Sequence, residues 1–182
     1  MRSWTNQAGV PVVTFSRSRP GLWVARQEML VMRGERPERR RRWVIPISYS
    51  TVGQGSRWDD TRPRLFLDSN QTEVEFEVRD EESLVVFNVQ GTGYYRVNYD
   101  KEVWGWIAQT LRRDRSLIHP LNRAQIICDL AVLTKTGHVS SKVKKSVLRY
   151  YSQETEYGPR LAYKECVETK FKRSIHPTYA PY

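Results

Sequence analysis

Apolar and polar positions alternate with a period of about two over residues 11–89, and the period changes to roughly 3.6 after Asp100. Residues 11–15 (PVVTF) form a short β-branched run, and residues 22–31 a longer apolar-rich one. Residues 43–51 (WVIPISYST) place Trp43, Ile45, Ile47 and Tyr49 on one face and Pro46 on the other, which predicts an edge strand or a bulge. Residues 73–78 (EVEFEV) alternate strictly, with Val74, Phe76 and Val78 inward. Residues 84–89 (LVVFNV) read as a buried strand, set off from its predecessor by the acidic turn Asp80-Glu81-Glu82-Ser83. Gln90-Gly91-Thr92-Gly93 then turns the chain into residues 94–99 (YYRVNY). Short strands separated by turns predict an antiparallel sandwich.

Beyond Asp100, Trp104, Ile107, Ala108 and Leu111 share one helical face. Residues 122–136 carry a second stripe of Ile126, Ile127, Leu130, Leu133 and Thr134, with Gly137 placed to end that helix. Ser140 or Ser141 can cap a third helix that buries Val143, Val147, Leu148 and Tyr151. Pro159 suits the first turn of a fourth, whose stripe is Ala162, Tyr163, Cys166, Val167 and Phe171. Short connections predict antiparallel neighbours, as in a bundle or helical-repeat array. Residues 174–182 read as an irregular tail. The expected fold is therefore an all-β sandwich over residues 1–100, followed by an α-helical bundle or repeat-like region over residues 101–182, in two domains.

Composition sharpens this picture in places. The chain of 182 residues is 39% hydrophobic and 12% aromatic, which fits folded domains rather than disorder. No apolar run is long enough to span a bilayer, and residues 1–9 contain no hydrophobic core of a signal peptide. Residues 1–100 carry 15 Arg and no Lys against 13 acids, whereas residues 101–182 carry 15 basic groups against 7 acids. That shift supports two regions with different surfaces. Residues 33–42 (RGERPERRRR) read as a solvated loop in preference to a nucleic-acid contact. Cys128 and Cys166 read as free, partly buried thiols in preference to a bridge.

The sequence offers little to a catalytic reading. A hydrolytic zinc site needs clustered ligands, commonly two His one helical turn apart beside a carboxylate. His119, His138 and His176 are far apart, none lies in H-E-x-x-H, and solvated imidazoles are expected. No G-x-S-x-G elbow exists, and Gly53-Gln-Gly55 and Gly91-Thr-Gly93 suit tight turns. Asp59-Asp60 and Glu81-Glu82 fall in polar turns, where they are expected to be hydrated and separately ionised. Tyr94, Tyr95 and Tyr99 with Arg96 could form a base-stacking platform, but alternation fits a sandwich core strand better. Asn70-Gln71-Thr72 matches the N-glycosylation acceptor pattern, making Asn70 the one candidate modification site.

Two segments carry more information: Gly91-x-Gly-Tyr-Tyr-Arg-Val-Asn-Tyr-Asp100 and Asn122-Arg-Ala-Gln-Ile-Ile127. Together they resemble the region after the catalytic domain in zinc aminopeptidases related to aminopeptidase N, the gluzincins. Trp4-Thr5-x-Gln7-x-Gly9-x-Pro11-Val12-Val13, Trp43-Val-Ile-Pro-Ile47 and Thr61-x-Pro63-x-x-Phe66-Leu67 continue the similarity in the same order, as do Gly137-His-Val-Ser140 and Glu154-Thr-Glu-Tyr157-x-Pro159. Three stretches depart from the family pattern. Its Q-x-R-F is Gln27-Glu-Met29-Leu30, its paired Asp after N-R-A-Q-L-I is Cys128-Asp129, and Arg160 follows Pro159 where the family usually has Trp.

The resemblance implies a β-sandwich followed by the opening helices of a larger helical domain, whose last helices here present an apolar face made for further neighbours. It implies zinc as the cofactor of the parent enzyme, a catalytic domain as partner, peptides as the parent's substrates, and a parent often placed at the plasma membrane or outside the cell, with some family members cytoplasmic. No catalytic, cofactor-binding or metal-ligating residue carries over, because H-E-x-x-H, its downstream Glu and G-A-M-E-N have no counterpart. The chain itself is expected to be a structural, substrate-enclosing part. The alternatives are a protein- or peptide-interaction module, and a basic nucleic-acid binder through Arg39–Arg42, Lys142, Lys144 and Lys145.

Overall fold

The computed structural model describes residues 2–5, 7–32, 41–79 and 83–169. A short helix α1 (Arg2–Thr5) precedes eight strands: β1 (Pro11–Arg19), β2 (Leu22–Met29), β3 (Ile45–Ile47), β4 (Tyr49–Thr51), β5 (Leu65–Leu67), β6 (Glu73–Glu77), β7 (Val85–Phe87) and β8 (Arg96–Tyr99). Four helices follow, α2 (Lys101–Arg113), α3 (Pro120–Thr136), α4 (Ser141–Leu148) and α5 (Tyr157–Tyr163), and α5 runs on into one π-helical turn at Lys164–Glu168. Strands followed by helices is the expected fold class.

The main sheet has the order β6-β2-β1-β8, and β3-β5 and β4-β7 form two further pairs. Among the described residues all pairings are antiparallel except one: β8 runs parallel to β1, with Val13 opposite Val97 and Phe15 opposite Tyr99. This departs from the antiparallel expectation, and the reason is topological. The long excursion through β2–β7 gives the chain enough length to return to β1 in the same direction. Residues 43–51 also form two strands rather than one. Ser48 interrupts the alternation, so Ile45 and Ile47 are buried on β3, while on β4 Ser50 is buried and Tyr49 only half-buried. Pro46 lies on β3, which among the described residues pairs with β5 alone, so the proline sits on an edge strand as expected.

The layers meet through aromatic rings. Phe15 of β1 stacks on Phe87 of β7 at 3.7 Å, and Trp23 of β2 meets Phe87 edge-on at 5.2 Å. Tyr99 of β8 meets Trp104 of α2 edge-on at 4.9 Å, so the same core continues from strands into helices. Gln27 ties together three stretches from inside. Its amide nitrogen donates to the Trp43, Asp68 and Gln71 carbonyls at 2.9–3.1 Å, and its amide oxygen accepts from the Trp43 N–H at 2.8 Å.

Each helix end has a sequence cause. Asp100 caps α2 by accepting from the Val103 N–H at 2.9 Å, and Ser140 caps α4 by accepting from the Val143 N–H at 3.3 Å. Gly137 ends α3 at φ 90°, a left-handed conformation that favours glycine. Helix packing differs from the expected chain-order neighbours. The principal contacts pair α2 with α4 and α3 with α5, so alternate helices share a layer. α3 is occupied on another side by β8 and by the turn at Val89–Gly91. Tyr157 near the start of α5 is 73% exposed, and Leu161 and Val167 beyond it are half-buried. Phe171, His176 and the predicted tail lie outside the described residues.

Cys128 of α3 and Cys166 of the π-helical turn are joined as a disulfide, which corrects the free-thiol reading. Period places Cys166 on the stripe of the fourth helix and Cys128 merely within the second helix. It could not show that the α3–α5 contact brings their Cα atoms to 5.2 Å.

Candidate functional site at the strand to helix seam

The polar residues of the two motif segments converge on one buried seam. Asn88 and Gln90 are forced to φ 58° and 56°, which non-glycine residues seldom adopt. The Asn88 side chain closes the turn by accepting from the Gly93 N–H at 2.7 Å and donating to the Gly93 carbonyl at 3.0 Å. From the first turn of α3, Asn122 accepts from the Gln90 N–H at 2.9 Å and donates to the Asn88 carbonyl at 3.0 Å. The strained turn is thereby held by the helix that packs on it. Gly93 is required for another reason. A Cβ there would run into the Tyr95 ring, with Asn88 Oδ1 only 3.0 Å away.

β8 is buried on both faces. Tyr95, Val97 and Tyr99 enter the core, and the Tyr99 hydroxyl accepts from the Phe87 N–H at 3.0 Å. Between them, Arg96 reaches Asp129 of α3 at 3.1 Å, and the same carboxylate accepts from the Val97 N–H at 3.0 Å. Burial raises the Asp129 pKa, against the pull of Arg96 and the Val97 N–H. Asn98 donates to the Thr14 hydroxyl at 3.2 Å and accepts from the Trp104 indole N–H at 3.1 Å, joining β1 to α2.

A second ion pair locks the helices. Arg123 of α3 binds Glu154 through two bonds of 2.8 and 3.0 Å and donates to the Ile118 and Arg115 carbonyls. Glu154 also accepts from the Thr155 and Glu156 N–H groups, each at 3.0 Å. Burial pushes the Glu154 carboxyl up, but Arg123 and these backbone donors outweigh it and leave its pKa below the ordinary value. Beside this pair lies a shallow cavity of about 220 Å³ lined by Arg115, Ser116, Pro120, Arg123, Thr155 and Glu156. Arg123 already serves Glu154 and two carbonyls there.

The other candidate groups are spent on local structure. His119 caps α3, its Nδ1 accepting from the Leu121 N–H at 3.3 Å. Burial, then Arg123, lowers its pKa. His138 Nδ1 lies 2.7 Å from the Thr136 hydroxyl, and its Nε2 lies 3.4 Å from Glu28. Both rings are partly buried and bonded rather than simply solvated, a correction to the expectation. The two rings sit on separate elements, each with local partners of its own. Among the described residues, no group of three or more His, Cys, Asp or Glu is placed to hold a metal.

Asp60 is not a freely hydrated acid. It pairs with Arg62 and Arg64 at 2.9 Å each, and the Arg62 bond holds its pKa down. Glu81 and Glu82 lie outside the described residues. Gly53 and Gly55 occupy exposed turn positions. The drawn stacking platform is not on the surface, since Tyr95, Arg96 and Tyr99 are buried and only Tyr94 is exposed. Arg41 and Arg42 donate to the Ala8 and Asn70 carbonyls, and Arg39 and Arg40 lie outside the described residues. Lys142 and Lys145 are exposed, and Lys144 is half-buried.

Residues 84–179 match the family model of the ERAP1-like C-terminal domain. The chain belongs to the ERAP1-like C-terminal domain family. The match opens at Leu84, before β7, so the family's domain includes the seam just described. Similar proteins are an aminopeptidase N of Plutella xylostella (32% identity over all of this chain), a membrane alanyl aminopeptidase of Heliothis virescens (33% over 88%) and the human aminopeptidase Q (32% over 86%). The chain spans only 16–20% of the length of these relatives. Among the described residues, no helix is long and apolar enough to cross a membrane.

Proposed function

We propose that this chain is a non-catalytic, substrate-enclosing part of a zinc aminopeptidase that removes N-terminal residues from peptides. In this reading residues 1–100 are a β-sandwich domain and residues 101–182 open a helical domain. Zinc, its ligands and the Glu that activates metal-bound water belong to a catalytic domain that is this chain's partner. Parents of this kind often work at the plasma membrane or outside the cell, and some work in the cytoplasm. The observation that carries the reading is the seam. Arg96, Asn98, Asn122, Arg123 and Asp129 are buried and bonded to the chain's own groups, so they serve to orient helices on strands.

A graft tests this. The chain is put in place of the corresponding stretch of the rat aminopeptidase N, a relative 34% identical over 87% of this chain. Retained hydrolysis of aminoacyl-p-nitroanilides supports the reading, and a folded but inactive graft counts against it.

A further inference from the structure

Five asparagines occur in the sequence, and Asn70 alone is followed by x-Ser/Thr, as Asn70-Gln71-Thr72. Asn88, Asn98 and Asn122 are buried and bonded in the seam, whereas Asn70 and Thr72 are exposed. The acceptor triplet sits on a surface turn anchored from beneath by Gln27, which holds the Asp68 and Gln71 carbonyls. The Gln27 N–H also donates to the Thr72 carbonyl at 2.8 Å, and Arg42 donates to the Asn70 carbonyl at 3.1 Å. All these bonds use backbone carbonyls of the turn, so a sugar on the Asn70 amide would disturb none of them. The Cys128–Cys166 bond is an independent sign of the same surroundings, because disulfides form and persist in oxidising compartments.

We propose that Asn70 is an N-glycan acceptor and that the chain folds in the oxidising lumen of the secretory pathway. There a lipid-linked pyrophosphoryl oligosaccharide transfers its sugar to Asn70 Nδ2. The new bond joins sugar carbon to amide nitrogen, the sugar–phosphate bond breaks, the lipid pyrophosphate leaves, and the amide gives up one proton. The two thiols of Cys128 and Cys166 lose two protons and two electrons to a disulfide-carrying oxidoreductase of that lumen. The lack of a signal-like run in residues 1–9 does not bear on this, since the chain spans about a fifth of its relatives' length at most. The proposal is independent of any peptidase role, because a glycan is read by mass whether or not the chain serves an enzyme.

The test is translation of the full chain behind a supplied signal sequence in the presence of microsomes, with mass analysis before and after N-glycosidase. Wild type should gain one glycan at Asn70, N70Q and T72A none, and T72S should retain it. Cys128 and Cys166 should resist alkylation until reductant is added. Imported wild type with an unmodified Asn70 peptide overturns the glycan assignment, and thiols that alkylate without reductant overturn the assignment of compartment. The protein isolated from its own tissue must show the same glycan, and an unmodified Asn70 there also overturns the proposal.

Discussion

The Arg96 guanidinium and the Asp129 carboxylate meet at 3.1 Å with their side chains only 11% and 2% exposed. One belongs to β8 and the other to α3, so their bond crosses the boundary between the two kinds of structure. Removing one partner of a buried ion pair typically costs about 3–5 kcal/mol. D129N should therefore lower the unfolding free energy obtained from urea denaturation by about that amount. Replacing both partners with apolar residues (R96M with D129L) should recover much of the loss.

Glu154 should govern the acid limb of stability. Its folded pKa is lowered, so its stabilisation is fully present above the ordinary carboxylate pKa and is lost as pH falls through the folded value. Asp129 runs in the opposite sense. Its raised pKa gives a contribution present at low pH that is lost as pH rises through the folded value. Denaturation midpoints measured from neutral to acid pH should fall less steeply in E154Q than in wild type, from a lower neutral starting point.

Two glycines should respond with opposite sign. At Gly93 an added methyl meets the buried Tyr95 ring, and G93A should lose about 1–3 kcal/mol through overpacking. Gly105 is an exposed position inside α2 with no atom within 4 Å of a built Cβ. G105A should gain about 0.5–1 kcal/mol from the lower backbone entropy of alanine. Thermal unfolding of the two variants beside wild type checks both.

The disulfide links positions 38 residues apart. On the loop-entropy model, C128A/C166A should lose about 3–4 kcal/mol relative to the oxidised chain. The variant's midpoint should not respond to reductant, whereas that of wild type should fall towards it.

Much of this fold was legible because period reports burial. Ile107 and Leu111 declared a helix, Val85–Phe87 declared a buried strand, and both lie in the core. What stayed hidden was long-range pairing. Nothing local in residues 96–99 tells them to run parallel to β1, and no spacing told Cys128 that Cys166 would arrive through α5. The seam was half legible. Its residues were recognised as an ordered motif, but the roles of Asn122 and Asp129 depend on strained backbone at Asn88 and Gln90 that composition does not encode. A polar residue on an otherwise apolar helical stripe was the available signal: Asn122, Gln125 and Asp129 share a face of α3 with buried isoleucine.

The account stands or falls on whether this chain carries chemistry of its own. The direct measurement is release of p-nitroaniline from aminoacyl substrates by the pure, folded chain, with and without a chelator, alongside its zinc content. The account predicts no turnover and no stoichiometric zinc. Turnover by the pure chain that a chelator abolishes and added zinc restores would contradict it.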